Sequence, residues 1–365
     1  MGIKNVPRGG FMTSSNEKIA NYLDTLFRLT PDFKDTFEKR YKILKMIDMI
    51  GPVGRRTLST QIDISERIIR KETDVLKENK LLESTLKGMI INGEGKEILR
   101  QMDEIYFDFK GILKKEELLA KKLGVKKVII APFNASNHEM NLKSIGQCAS
   151  EYLLKCIKNN MIIGITGGTT VEKVIESFSC RQKKYNNVTV VPARGSLGNK
   201  SEYQANTLVE VLANKMGSDY KLLFTPDKLS EDTIKRLKNE PQIKETIDLI
   251  NNIDTLLFGI GKSETMTKRR SLDAEEIRII NEKGAVAEAF GYYFNAEGEI
   301  VYEINTIGID LYKFKQIRNL IAVAGGVEKV DAILSIAKLD SKLVLVTDEN
   351  VANEILRRFR RKKNG

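Results

Sequence analysis

The residues best suited to chemistry form a short turn near the middle of the chain. An apolar run over 162–166 is followed by four small residues, Gly167, Gly168, Thr169 and Thr170. A helix-length segment comes next, and the first turn of a helix offers unpaired amides and a positive dipole end to anions. Glycine lets the backbone approach an anion, and threonine hydroxyls can donate to phosphate oxygens. The turn predicts a phosphate site, although a tight connection without a ligand would also explain it.

Polar or glycine-rich residues follow other apolar runs in the same part of the chain. Arg194 follows one run, residues 259–262 follow a second, and a third is followed by Gly325, Gly326 and Lys329. In a doubly wound sheet the carboxyl ends of the strands line one crevice. These residues are therefore expected to converge on one ligand.

Arg269, Glu288 and His138 are weaker candidates when each is taken alone. Arg269 and its neighbour Arg270 supply positive charge, but they also fit an exposed basic helix end. Glu288 lies among small and apolar residues, where a carboxylate could accept hydrogen bonds from sugar hydroxyls or form a surface ion pair. His138 follows a polar loop, and we expect it at the surface rather than in catalysis.

A second group of polar residues lies nearer the N-terminus, in the segment SERIIRKETDVLKENK. A helix that reads DNA needs polar side chains at its groove-facing N-terminal end and apolar side chains behind them. The residues expected to face DNA are Ser65, Glu66, Arg67, Arg70 and Lys71, with Arg55 and Arg56 on phosphate and Lys87 at the tip of a wing. The alternative is an ordinary three-helix module with a solvated basic face, because residues 55–80 hold only seven basic residues against five acidic ones.

The elements that must position this second group read as a winged helix. An amphipathic helix starts at Thr36, a short helix covers 57–61, and a third helix follows with Ser65 as its N-cap. Two short apolar runs, 81–85 and 89–91, then flank a turn-compatible Lys-Gly pair. Helices followed by a hairpin in this order predict a winged helix-turn-helix domain.

Beyond residue 123 apolar runs alternate with helix-length segments, which predicts an α/β fold with a doubly wound, Rossmann-like parallel sheet. The predicted strands are 127–131, 161–166, 188–192, 220–224, 255–258, 320–324 and 343–346, with a further hairpin over 291–294 and 299–303. The predicted segments of the chain are a flexible tail over 1–20, the winged helix over 21–93, a connector or dimerisation helix over 94–123, an effector domain over 124–356 and a basic tail over 357–365.

The composition limits the classes of protein that remain. With 365 residues, 41% hydrophobic and 30% charged, the chain is neither disordered nor fibrous and is long enough for two domains. The net charge of +11 includes six basic residues within 357–363, so it does not by itself indicate nucleic-acid binding. No apolar run is long enough to span a membrane and no secretory pattern opens the chain, so we expect a cytoplasmic protein.

Cysteine and histidine usage argues against a metal site or a disulfide framework. Cys148, Cys156 and Cys180 fit no zinc spacing, and His138 is the one histidine of the chain. We expect the cysteines to be small buried apolar residues. We predict no metal, no cofactor and no catalytic residue.

Together, these segments resemble the SorC family of bacterial sugar-responsive transcription regulators. The resemblance rests on GPVGRRTLSTQIDISERIIRKETDVLK near the N-terminus and, in order, on TGGTT, VPARGSLG, FGIGKSETMTKRR, AEAFGYYFNAEGE, IAVAGG and LVTDE. One departure is Ser196, which replaces a glycine in VPARGSLG and affects the expected loop geometry rather than the ligand class.

The resemblance implies a winged helix joined to an effector domain related to sugar-phosphate isomerases and deaminases. It implies a repressor of glycolytic genes that binds operator DNA as a dimer or tetramer and is induced by fructose-1,6-bisphosphate. Thr169, Thr170 and the preceding glycines would hold one phosphate. Phosphate or sugar groups would be contacted by Arg194, Gln204, Arg269, Glu288 and Lys329.

The competing hypothesis is an active sugar-phosphate isomerase or deaminase. Such an enzyme needs a positioned acid and base, for which Glu288 is the best candidate and His138 a poor one. The winged helix would then have no role, and a purely nucleic-acid-binding scaffold would leave the glycine-rich strand ends unexplained. The sequence therefore favours a regulator.

Overall fold

The computed structural model describes residues 25–109, 111–131, 138–180, 185–195 and 204–364. The chain divides into two compact units, residues 1–114 and residues 115–365. The predicted flexible tail over 1–20, Ser196 and the last residue of the basic tail lie outside the described residues.

The N-terminal unit is a winged helix, and between Pro31 and Phe109 it consists of helices and a two-stranded hairpin. Its elements are α1 (Pro31–Ile50), α2 (Arg55–Ile62), α3 (Glu66–Glu78), β1 (Leu82–Thr85), β2 (Gly88–Ile91) and α4 (Gly93–Phe109). The helices and the hairpin predicted from the sequence are confirmed, although α1 begins five residues before the predicted Thr36. Asp63 ends α2 in the left-handed conformation, at φ 51°, which makes the tight break before α3.

The wing is anchored to the helices through Val53. Val53 N–H donates to Met89 O at 3.0 Å, and Met89 N–H donates back to Val53 O at 2.8 Å. Gly88 has φ 137°, and a Cβ there would lie 2.7 Å from the backbone of Val53. Only glycine fits this close approach, so the hairpin is fixed beside the helices.

Helix α4 packs within the N-terminal unit. Tyr41 on α1 stacks on Tyr106 with ring centroids 3.8 Å apart, and its hydroxyl donates to Asp103 at 2.6 Å. Lys45, which is buried, pairs with Asp103 at 3.0 Å. The predicted single connector over 94–123 is thus two helices, because α4 ends at Phe109 and α5 (Ile112–Leu123) follows. The division of the chain into the five predicted segments stays a proposal.

The C-terminal unit is an α/β domain with a seven-stranded parallel sheet. Its elements after α5 are β3 (Lys127–Ala131), α6 (His138–Cys156), β4 (Met161–Ile165), α7 (Thr169–Ser177), β5 (Val188–Pro192), α8 (Ala205–Met216), β6 (Asp219–Tyr220), α9 (Glu231–Leu237), α10 (Pro241–Asn251), β7 (Thr255–Gly259), β8 (Gly261–Lys262), α11 (Ser263–Arg269), α12 (Ala274–Glu282), β9 (Ala287–Ala289), β10 (Tyr292–Phe294), β11 (Ile300–Glu303), α13 (Leu311–Phe314), β12 (Asn319–Val323), α14 (Val330–Ile336), β13 (Leu343–Asp348) and α15 (Glu349–Asn364).

The parallel sheet has the strand order β3-β13-β12-β7-β4-β5-β6. Its central strands are apolar and buried, as expected for a sheet covered by helices on both faces. Strands β8 to β11 form a separate antiparallel sheet in the order β11-β10-β9-β8, which includes the predicted hairpin. The doubly wound parallel fold predicted from the sequence is confirmed.

Two predicted segments differ in detail. The strand predicted over 220–224 is shorter, because β6 ends at Tyr220. Leu223 N–H donates to Asn206 Oδ1 at 3.1 Å and Leu223 O accepts from Asn206 Nδ2 at 3.0 Å, so a side chain takes the place of a neighbouring strand. The segment expected to be a basic tail after residue 356 continues helix α15 as far as Asn364. In the part of the chain that the structure describes, no helix is both long and apolar enough to cross a membrane.

Candidate functional sites

The chain changes direction in the sheet between β4 and β7. After β4 the chain continues outward through β5 and β6, and β7 then starts on the other side of β4 and continues towards β12. Thr166, at the end of β4, accepts a hydrogen bond through Oγ1 from the Gly259 N–H at 3.3 Å. The carboxyl ends of these strands form a topological switch point, where ligands of open α/β sheets bind.

The predicted phosphate turn lies at this switch point. Helix α7 begins at Thr169 directly after Gly168, which has φ 131° and no side-chain cap. A Cβ at Gly168 would meet nothing within 4 Å, so the backbone here faces open space. Thr169 is half-buried and Thr170 is buried. The structure therefore has backbone amides without a side-chain cap, two hydroxyls and a helix N-terminus where the sequence predicted an anion site.

Arg194 leaves the end of β5 and is held by a neighbouring segment. Ile309 N–H donates to Ala193 O at 2.8 Å and Gly195 N–H donates to Ile307 O at 3.0 Å. A Cβ at Gly308 would lie 2.8 Å from Arg194 Cβ, so only glycine allows the two chains to approach this closely. This backbone pairing fixes the start of the Arg194 side chain.

Four charged side chains, Arg194, Asp227, Arg270 and Glu288, form a buried cluster that we call the buried quartet. Glu288 Oε1 accepts from Arg270 Nη2 at 2.5 Å and from Arg194 Nη1 at 3.2 Å. Asp227 contacts Arg194 Nη2 through Oδ1, and its Oδ2 lies 3.2 Å from Arg270 Nη1. No side chain of the quartet is more than 8% exposed.

Burial and like charge both act on Arg194. The pKa of Arg194 is lowered to about 9, because removal from water and the Arg270 guanidinium together lower it more than Glu288 raises it. A pKa near 9 leaves the guanidinium charged at neutral pH. The prediction of a surface ion pair for Glu288 is wrong, because its ion pairs with Arg194 and Arg270 are buried.

The two consecutive arginines 269 and 270 have different environments. Arg269 is exposed at the end of α11, as a basic helix end would be. The side chain of Arg270 is only 2% exposed and lies over the Tyr293 ring, 5.9 Å from its centroid. Sequence reasoning selected Arg269 for the site and missed Arg270.

Lys329 approaches the crevice from the end of β12. Asp348, at the end of β13, accepts through Oδ2 from the Gly326 N–H at 2.8 Å and thereby holds the turn before Lys329. Burial lowers the pKa of Lys329, and so does the nearby Arg269, whereas Glu328 raises it. The like charges of Lys329 and Arg269 therefore act on each other, and an anion bound near both would relieve this repulsion.

The remaining predicted residues lie around the same sheet edge or are plainly exposed. Gln204 is half-buried immediately before α8. His138 is exposed at the start of α6, as expected. The cysteines are free and half-buried beside the main core rather than fully buried, and burial raises the pKa of the Cys156 thiol. Within the described ranges, no cluster of three or more potential ligands could hold a metal ion.

Sequence reasoning missed Asp227 and Asp348 as well as Arg270. Asp348 belongs to the segment LVTDE, which was noted as a motif but not assigned a role. Asp227 lies in a loop far in sequence from Arg194 and Arg270, so no local pattern indicates that the three side chains meet. Only the folded chain brings them together.

The predicted DNA-facing residues form an exposed polar surface in the N-terminal unit. Ile69 and Leu76 on α3 are buried against the other helices, and Glu72 on the same side pairs with Arg40 at 2.7 Å. The opposite side of α3, the start of α2 and the wing carry the exposed residues Arg56, Ser65, Glu66, Arg67, Arg70, Lys71 and Lys87. Among the residues with described side chains, the basic members of this surface have no ion-pair partner.

Arg55 differs from these exposed residues. Its Nη2 donates to Asp74 Oδ1 at 2.6 Å, and its Nε lies 3.4 Å from Thr73 Oγ1. The pair joins α2 to α3, so Arg55 has a structural role in addition to any contact with phosphate. The other predicted phosphate contact, Arg56, is exposed on the adjacent position.

Comparison with protein families matches both units. Residues 36–106 match the CggR N-terminal DNA-binding domain, and residues 108–357 match the Sugar-bind family of sugar-binding domains. The chain is 37% identical to the central glycolytic genes regulator of Bacillus subtilis (strain 168), over 90% of this chain and 97% of that protein. The protein of the same name from Priestia megaterium is 34% identical over 91% of this chain and 97% of its own length.

Solved structures agree with this assignment. A SorC-family transcriptional regulator from Enterococcus faecalis is 33% identical, covers 67% of this chain and 99% of that chain, and has a TM-score of 0.62. The full-length sorbitol operon regulator SorC from Klebsiella pneumoniae, 21% identical, shares the fold with a TM-score of 0.65 over 83% of this chain and 94% of its own. The chain therefore belongs to the SorC family of sugar-binding transcriptional regulators, which are not enzymes, and it joins a DNA-binding domain of the CggR type to a sugar-binding domain.

Proposed function

We propose that this chain is a repressor of glycolytic genes that leaves its operator DNA when its C-terminal unit binds a phosphorylated sugar, with fructose-1,6-bisphosphate as the effector. The observation that carries the proposal is that three features follow adjacent parallel strands. An open helix N-terminus at Thr169 follows β4, Arg194 of the buried quartet follows β5, and Gly261, beside Glu288, follows β7. The relatives in Bacillus subtilis and Priestia megaterium are named as regulators of central glycolytic genes, which supports the gene class.

The charges of the crevice suit a ligand with two kinds of group. Free amides after Gly168, the hydroxyls of Thr169 and Thr170, and the cations Lys329 and Arg269 can neutralise phosphate. Arg194 and Glu288 offer a donor and an acceptor that match sugar hydroxyls or a further phosphate oxygen. We include Gln204, which immediately precedes α8, in this site.

The exposed surface of α2, α3 and the wing is proposed to bind operator DNA. Arg67, Arg70 and Lys71 lie at the N-terminal half of α3, which is the end that enters the major groove in helix-turn-helix proteins. Arg56 and Lys87 would contact flanking phosphates. The protein is proposed to act in the cytoplasm as a homo-oligomer, since repeated half-sites need more than one such helix.

Release from DNA requires that the effector prefer one state of the oligomer. Moving an equilibrium from 1:99 to 99:1 needs roughly 5.5 kcal/mol of differential binding. A ligand that binds both the DNA-bound and the released state equally would leave repression unchanged. The sugar phosphate is therefore proposed to bind the released state more tightly.

The first test measures thermal unfolding of the full chain against a panel of glycolytic phosphosugars. Fructose-1,6-bisphosphate should raise the midpoint most, equivalent to roughly 2.7 kcal/mol at 100 times the Kd. Thr169→Ala/Lys329→Ala should lose this shift, and the exposed Thr60→Ala in the other unit should keep it. The effector assignment fails if the folded protein shows no shift with any phosphosugar.

The second test measures binding to DNA from the region upstream of a glycolytic operon, with and without the effector. Saturating fructose-1,6-bisphosphate should weaken operator binding in wild type, and Thr169→Ala/Lys329→Ala should stay bound. Binding that is identical with and without effector would contradict the proposed regulation while leaving the DNA-binding assignment intact.

A further inference from the structure

A group of exposed lysines lies at the amino end of the parallel sheet. Some belong to the end of α5 and the start of β3, and the others to the end of α6 and the turn after it. Lys126 N–H donates to Leu343 O at 3.0 Å, which places this segment where β3 and β13 begin. The members of the group, which we call the lysine face, are Lys121, Lys122, Lys126, Lys127, Lys155 and Lys158, and all of them are exposed.

Two contacts show that the lysines of α6 and those of β3 share one surface. Lys127 Nζ lies 5.8 Å from the centroid of the Tyr152 ring on α6. Burial raises the pKa of the Cys156 thiol, and nearby positive charges oppose that rise. Those charges belong to three members of the face, Lys126, Lys155 and Lys158.

The ammonium groups of the lysine face have no carboxylate partners. None of the six forms an ion pair with a described residue. Lys122 Nζ lies instead 5.1 Å from the centroid of the Phe359 ring on α15. Elsewhere in the same unit, Lys115 pairs with Glu349 at 2.8 Å and Lys173 pairs with a glutamate at 2.9 Å. The face therefore keeps its positive charge available to an anion from outside.

The charge of the lysine face exceeds what the helix ends can balance. Glu117 and Glu151 lie one turn before the lysines on α5 and α6, and counting them leaves an excess of four positive charges. The C-terminus of a helix carries about half a negative charge, so the ends of α5 and α6 offset roughly one of the four. About three positive charges remain without a counter-charge.

We propose that the lysine face binds the phosphate backbone of duplex DNA outside the operator bases. The proposed function places DNA contacts in the N-terminal unit alone, so this contact is an addition from the sugar-binding unit. Residues 36–106 match a DNA-binding domain, and DNA is therefore a polyanion that the chain binds. Lysine suits this task because its ammonium group is a point charge that contacts phosphate without reading bases.

The lysine face and the proposed effector crevice lie at opposite ends of the same sheet. The crevice is at the carboxyl ends of the strands, and the face is at the amino ends of β3 and β13. A phosphorylated sugar in the crevice and DNA on the face therefore do not compete for the same groups. The face provides affinity that does not depend on sequence, whereas the exposed side of α3 provides the contacts to base edges.

The test measures the affinity of the full chain for two operator duplexes at several salt concentrations. One duplex ends close to the operator, and the other has about 20 further base pairs on each side, roughly 70 Å of duplex at 3.4 Å per base pair. Wild type should bind the longer duplex more tightly. Lys121→Gln/Lys126→Gln/Lys158→Gln should weaken binding to the longer duplex about tenfold and lower its salt slope by two to three, because each phosphate contact contributes about 0.9. Binding to the shorter duplex should change little.

A matched control removes the same number of charges elsewhere in the sugar-binding unit. Lys235, Lys238 and Lys244 are exposed on and around α9 and α10, and their replacement by glutamine should leave both affinities and both slopes unchanged. Replacement of Lys121, Lys126 and Lys158 by arginine keeps the charge and should preserve wild-type binding. If the triple glutamine variant does not fold, Lys121→Gln/Lys158→Gln leaves the strands untouched and should lower the slope by about two.

The outcomes separate this inference from the proposed function. Wild type that binds neither duplex overturns the proposed operator binding and the inference with it. Wild type that binds both duplexes equally, or a folded triple variant with wild-type affinity and slope, overturns the inference alone. An equal loss in the triple variant and its control would make the effect one of net charge and also overturn it. A triple variant that changes only the sedimentation of the free protein would assign the face to a second copy of the chain.

Discussion

The two units use arginine in opposite ways. In the DNA-binding unit, Arg67 and Arg70 are exposed and have no carboxylate partner among the described residues. In the sugar-binding unit, Arg194 and Arg270 are buried, and each contacts both Asp227 and Glu288. The same side chain is a free surface charge in one unit and a neutralised hydrogen-bonding group in the other.

The contrast fits the two kinds of ligand that we propose for the units. DNA is a long polyanion, and exposed cations bind it by displacing condensed counterions, which makes the affinity strongly dependent on salt. A binding site distinguishes a small effector from similar molecules by the positions of its hydrogen-bond donors and acceptors. Those positions are fixed only when the side chains are held by their neighbours. Burial with paired carboxylates gives this rigidity but makes each member essential to the fold.

The largest expected effect is the loss of stability in Arg194→Ala. The change leaves Asp227 and Glu288 buried with a single guanidinium, and breaking a buried ion pair costs about 3–5 kcal/mol. Urea unfolding of the full chain should show this loss. The exposed Arg67→Ala is the control and should stay within about 0.5 kcal/mol of wild type. If Arg194→Ala lowers the free energy of unfolding by less than about 1 kcal/mol, the proposed difference between buried and exposed arginines is wrong.

The next effect concerns DNA affinity. Arg67→Ala/Arg70→Ala should weaken operator binding about a hundredfold, close to 1.4 kcal/mol for each arginine, with unchanged thermal stability. Any member that contacts a phosphate should also lower the salt slope by about one. A titration at several salt concentrations, with Arg278→Ala as the control, measures both quantities. Unchanged affinity and slope would remove these residues from the interface.

A smaller effect is expected for Glu116, a half-buried acid of the sugar-binding unit that has no arginine partner among the described residues. Its Oε1 accepts from the Ile130 N–H at 2.7 Å, and burial raises the pKa of Glu116 to about 7 from 4.5. Because the folded pKa lies above the unfolded one, the protonated form is favoured in the fold. Stability from this group is complete below pH 4.5 and is lost as pH rises to about 7.

The matching variant is Glu116→Gln, which keeps the oxygen acceptor and removes the titration. It should be more stable than wild type by roughly 1–2 kcal/mol at pH 8 and by much less at pH 5. Thermal unfolding at the two pH values measures the difference. Glu72 is the corresponding buried acid of the DNA-binding unit, and unlike Glu116 it has an arginine partner, with its Oε2 2.7 Å from Arg40 Nε. A gain that is equal at both pH values would exclude titration of Glu116 as its cause.

The smallest effect tests Arg55, a predicted DNA-facing arginine that pairs with a carboxylate, unlike Arg56, Arg67 and Arg70 in the described part of the chain. It lies 2.6 Å from Asp74, and both side chains are about a third or more exposed. A double-mutant cycle with Arg55→Ala and Asp74→Ala should give a coupling of about 0.2–1 kcal/mol, as partly exposed pairs do. A coupling free energy above about 2 kcal/mol would mean that the Arg55–Asp74 pair behaves energetically like a buried ion pair.

Local sequence was sufficient for most of the fold. Alternating apolar runs and amphipathic segments predicted the parallel sheet, and the hairpin around Gly88 predicted the wing, because both depend on periodicity and turn chemistry within short segments. The strand predicted over 220–224 was too long at its C-terminal end because Asn206, which binds the backbone of Leu223, is remote in sequence. The connection from β4 to α7 was predicted because a strand, two glycines and a helix start are contiguous, and its phosphate binding stays a prediction.

The sequence by itself determined which residue types are available, the order of the elements and the glycine-rich strand ends. Only the tertiary structure decided which arginine is buried, since Arg269 and Arg270 are adjacent and chemically identical. Their difference depends on Asp227 and Glu288, which the fold brings to Arg270 from other segments. Charge pairing in a low-dielectric interior depends on distances of a few ångströms, and those distances between remote residues are set by the packing of the whole domain.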